Sequence, residues 1–137
     1  MKASSLIGRN GVEDQAQSVV RFASGLIAYM HEGQAFAHAE TALEVHGDEG
    51  SIYGRGVLDE APVGTVYLRR GKQITEMPIE PVNLYATTVA PFGAAILDGG
   101  RPLATGRDGV ASLATALAVK ESAETGVHVR VQRPWEL

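Results

Sequence analysis

His31, Gln34 and Phe36 are the residues of this 137-residue chain whose types and spacing come closest to a small-molecule site, an imidazole, an amide and an aromatic ring close together along the chain. They are the candidate substrate-lining residues. Elsewhere the chemistry-bearing residues fall short of a working pattern. His31, His38 and His46 would form a metal site only with a carboxylate at matching spacing, and none completes it; each reads instead as a polar position on or beside a half-buried strand. His31-Glu32 opens like a zinc-peptidase helix, but Ala35 stands where the second histidine belongs. Gly54-Arg55-Gly56 begins like a dinucleotide loop, yet Asp59 replaces its third glycine and a strand surrounds it. Gly71-Lys72 fails as a phosphate loop at both Val66 and Gln73. Asp48 and Glu49 are adjacent turn residues, and no serine sits in a nucleophile elbow. The reading is therefore no catalytic residue, no cofactor-binding residue and no metal ligand in this chain.

The elements that would position these residues follow from periodicity. Gln15 to Phe22 and Leu26 to His31 are rich in Val, Ile, Phe and Tyr around Ser24-Gly25, predicting a hairpin with a two-residue turn. Ala39 to His46 and Ser51 to Leu58 form a second hairpin about Gly47-Asp48-Glu49-Gly50, and Thr65 to Arg69 with Gln73 to Met77 a third about Arg70-Gly71-Lys72. Ala3 to Ile7 reads as an edge strand before a turn at Asn10-Gly11, and residues 59–64, with Pro62, as a loop. Asn83 caps a helix through Tyr85, Val89, Phe92 and Ile96, which Pro91 should kink or fray around residues 87–91. Thr105 and Asp108 form a capping box for a second helix, ended by Gly126. Val110, Leu113, Ala114, Leu117 and Ala118 make its apolar stripe, so Leu117→Asp is expected to abolish folding. Val127, Val129 and Val131 alternate with polar residues as a closing strand, leaving His128 solvated; Trp135 reads as a ring docked on the sheet. Strands, two helices and a last strand define an α+β fold: an open, mainly antiparallel meander of hairpins with two helices on one face.

Composition narrows function further. The chain is long enough for one domain, residues 1–137, with its own core. It has no cysteine, which excludes a disulfide framework and thiolate chemistry. A formal charge of −4 without a basic run lacks the footprint of a nucleic-acid or anionic-membrane binder, and Arg69, Arg70 and Lys72 read as a solvated hairpin tip. The apolar run Ala23 to Met30 is far below a membrane span, and no signal-peptide layout precedes it. These features point to a cytoplasmic protein.

Three pieces carry a family resemblance: VVRFASGLIAYMHE, EVHGDEGSIYGR and RPLATGRDGVASLATALAVKESAETG. In order and spacing they resemble the C-terminal half of the glucose-fructose oxidoreductase, inositol dehydrogenase and MocA family. The resemblance implies an N-terminal Rossmann domain for NADP or NAD in a full-length parent, a C-terminal sheet that shapes a pocket for a sugar-like molecule, and a homo-oligomer through the open sheet face. It also implies hydride transfer aided by a lysine in an EKP motif and an Asp/His pair on the first helix of the C-terminal half. Neither is in this sequence. The expectation is a substrate-side and oligomerisation domain without its Rossmann partner, binding no cofactor and inactive alone, as a fragment or truncated product. The alternative is a stand-alone, non-catalytic dimeric binding or assembly module.

Overall fold

The computed structural model describes residues 2–7, 11, 13–59 and 63–132; Asn10, Pro62 and Trp135 lie outside them. Seven strands precede two helices: β1 Lys2–Ile7, β2 Glu13–Arg21, β3 Ile27–Gly33, β4 Ala42–His46, β5 Ser51–Arg55, β6 Thr65–Arg70, β7 Gln73–Met77, α1 Leu84–Asp98 and α2 Gly106–Thr125. The hairpin meander is antiparallel throughout and falls into two ladders, β1-β2-β3 and β4-β5-β6-β7. The chain divides accordingly into two compact units, Met1–Ala37 with Ala104–Leu137, and His38–Leu103.

In the first unit the β2-β3 register sets Val20 opposite Ala28 and Ser18 opposite Met30, so these four share one face. Val20 and Ala118 of α2 are its buried hydrophobic centre, with Ala28, Met30, Val119, Val129 and Val131 packed around them. The hairpin turn differs from expectation. Phe22 N–H donates to Leu26 O at 2.8 Å and Gly25 N–H to Phe22 O at 3.0 Å, so three residues, Ala23, Ser24 and Gly25, make the loop. Gly25 at φ 95° takes the left-handed position that a three-residue hairpin requires.

The capping box on α2 forms: Asp108 Oδ2 accepts from Thr105 N–H at 2.8 Å, and Thr105 Oγ1 accepts from Asp108 N–H at 3.3 Å. Gly126, at φ 69°, donates its N–H to Ser122 O. The stripe that faces the sheet overlaps the expected one at Ala114 and Ala118 only, and is turned away from its large residues. Val110, Leu113 and Leu117 are 43, 60 and 57% exposed, whereas Ala118 and Ser122 are buried and Ala111, Ala114 and Thr115 half-buried. Small side chains let the helix approach closely, and the close approach is fixed by a hydroxyl. Ser122 Oγ accepts from the backbone N–H of Ala3 at 3.0 Å and donates to Val127 O at 2.8 Å. A face of leucines turned inward would lift α2 off β1 and break the bond to Ala3. Leu117→Asp should therefore be tolerated, contrary to expectation.

Nor do residues 127–132 form a strand. The carbonyl of Val127 goes to the Ser122 hydroxyl, and Val129 and Val131 keep their alternation as half-buried packing on the Val20 cluster. His128 is exposed, as expected.

In the second unit the hairpins match the sequence reading closely. Gly47 N–H donates to Gly50 O at 2.9 Å at the first turn, and Gly71, at φ 59°, makes the second. Register separates two faces: Leu43, Val45, Ile52, Val66, Leu68 and Met77 on one, and Glu44, His46, Tyr53, Arg55, Tyr67 and Glu76 on the other. Helix α1 starts at Asn83, whose Oδ1 accepts from Ala86 N–H at 2.9 Å, and ends at Gly99 with φ 70°. It stays helical through Pro91, so the expected fraying around residues 87–91 does not occur. One backbone bond is forfeited at Pro91, while the Asn83 cap holds the first turn; the Thr87 and Thr88 hydroxyls donate back to Leu84 O at 3.0 and 2.9 Å. No described residue of α1 is buried.

Candidate functional site

His31 lies near the end of β3, opposite Gln17 and on the face away from Val20 and Met30. After Gly33 the chain reverses, held by Gln34 N–H donating to Asp14 O at 2.9 Å. The reversal carries Phe36 back over β3, where its ring meets His31 edge-to-face with centroids 5.5 Å apart at 66°. Gly33 makes this possible, because a Cβ there would fall inside the Phe36 ring. The structure thus brings His31 and Phe36 together and fixes Gln34 between them by its backbone. All three are exposed, and Val19, Tyr29 and Ile27 continue the same face at 44, 65 and 63% exposure. Such a surface offers an imidazole for hydrogen bonding beside apolar rings that can lie against a ligand.

The other two histidines of the rejected metal triad belong to the second unit. Among the described residues no group of three His, Cys, Asp or Glu side chains could hold a metal ion. His46, which the sequence suggested was an ordinary sheet position, is held in a polar cluster. Its Nδ1 lies 2.9 Å from Ser51 Oγ and its Nε2 3.5 Å from Glu44, whose other oxygen accepts from Arg55 at 2.6 Å. The Tyr53 ring meets the imidazole edge-to-face at 5.6 Å. With His46 58% and Arg55 45% exposed, the pairs are solvent-screened and each is worth about 0–1 kcal/mol.

A cavity of about 290 Å³ in the first unit had no counterpart in the sequence reading. Val20, Phe22, Ala28 and Met30 line it from the hairpin, Ala111 and Thr115 from α2, and Val131 from the segment after α2. The Thr115 hydroxyl donates to Ala111 O at 2.9 Å. No motif marks this space, because its walls are ordinary core residues from three separated stretches of chain.

Neither Gly54-Arg55-Gly56 nor the start of α2 offers a dinucleotide loop. Arg55 ends β5 and Gly56 follows it, so Gly54-Arg55-Gly56 opens no helix, and Asp108 already places a carboxylate on the backbone N–H at the start of α2, where a pyrophosphate would need open donors.

Comparison with known proteins agrees with this architecture. The chain is 48% identical over 129 residues to the 1,5-anhydro-D-fructose reductase of Ensifer adhaerens, an alignment covering 94% of this chain and 39% of that enzyme. Among solved structures it resembles the aldose-aldose oxidoreductase of Caulobacter crescentus, crystallised with glycerol, at a TM-score of 0.81 and 20% identity over 92% of this chain and 39% of that one. The UDP-N-acetylglucosamine 3-dehydrogenase of Acidithiobacillus ferrooxidans superimposes at 0.74 with 16% identity, covering 90% of this chain and 39% of its own. The chain spans about two fifths of the length of these relatives. Residues 2–131 match the model of the oxidoreductase family's C-terminal alpha/beta domain, so with its antiparallel hairpins and two capped helices the chain belongs to that family.

Proposed function

We propose that this chain is the substrate-side and oligomerisation domain of an NAD(P)-dependent sugar oxidoreductase resembling 1,5-anhydro-D-fructose reductase, acting in the cytoplasm and inactive by itself. The observation that carries the reading is the 48% identity to that reductase along nearly the whole of this chain but only 39% of the enzyme's length. Hydride transfer needs a fold that holds nicotinamide against the sugar, and the start of α2 is already occupied by its own carboxylate. In this reading the cofactor, NADP or NAD, is held elsewhere, and His31, Gln34 and Phe36 line the sugar side. The exposed residues Leu43, Val45 and Ile52, 54, 56 and 40% accessible on one face of the β4-β7 ladder, support self-association through an open sheet face.

The test is NADPH oxidation with 1,5-anhydro-D-fructose. This chain alone should give no turnover, whereas a fusion to the part of the Ensifer enzyme that it does not align with should turn over. Turnover by the chain alone, or an inactive but folded fusion, would sink the reading. The same exposed sheet face favours the second reading, a non-catalytic dimeric module, which predicts a stable dimer and an inactive fusion.

A further inference from the structure

We draw no further inference here: the strongest candidate, the apolar cavity of about 290 Å³ between the β2-β3 hairpin and α2 in the first unit, carries nothing, because its lining of core side chains singles out no ligand and nothing in the structure shows what covers it.

Discussion

The two units solve the same problem to different extents. In the first, a three-stranded ladder gains a helix, a buried centre at Val20 and Ala118, and a hydroxyl that ties helix, strand and exit segment together. In the second, four well-registered strands and a fifteen-residue helix leave apolar residues on the surface: Leu43, Val45 and Ile74 on the ladder, and Tyr85, Phe92, Ile96 and Leu97 at 63, 58, 67 and 86% exposure on α1. The difference teaches that hydrogen-bonded secondary structure is not a core. Turns and caps specify the second unit's ladder, but they leave its apolar side chains uncovered within the unit.

The sharpest way to break this contrast is to charge both stripes of α2. Ala118→Asp places a carboxylate at a position only 5% exposed and should cost about 3–5 kcal/mol, enough to unfold the first unit in a urea titration. Leu117→Asp, next door at 57% exposure, should stay within about 0.5 kcal/mol. Equal effects would mean that α2 turns a different side toward the ladder. Ser122→Ala orphans the Ala3 donor and the Val127 acceptor together and should cost about 2–4 kcal/mol by the same titration. A loss below about 1 kcal/mol would show that the hydroxyl does not staple the unit.

Val45→Lys probes the other side of the comparison. On a ladder position 56% exposed it should leave the unfolding midpoint nearly unchanged, yet weaken self-association by about tenfold or more in sedimentation equilibrium. An unchanged dimer would remove that face from the interface. Smallest is Thr105→Ala, which opens the capping box and should lower stability by about 1 kcal/mol, read as a small drop in melting temperature. If melting does not move, the box is not holding the start of α2.

For the candidate site the same division holds. His31, Gln34 and Phe36 were legible as a cluster because they are near neighbours in sequence, and the reversal after Gly33 brings two of the three into ring contact. The cavity walls were not legible, since Phe22, Thr115 and Val131 are about ninety and sixteen positions apart and carry no motif. His46 shows the intermediate case: its strand and face followed from alternation, but its contact with Ser51 depends on which residue β5 sets opposite it.

The chain's own residues determine its turns, its caps and its hairpin pairing, because each is settled by groups within a few positions: Asp108 on Thr105, Gly126 on Ser122, Gly47 on Gly50. Tertiary structure alone decided which side of α2 is the inside. Hydrophobicity favoured the leucines, but small side chains on the inward side let the helix rest close to the ladder, and the hydroxyl of Ser122 reaches the Ala3 N–H only at that close distance.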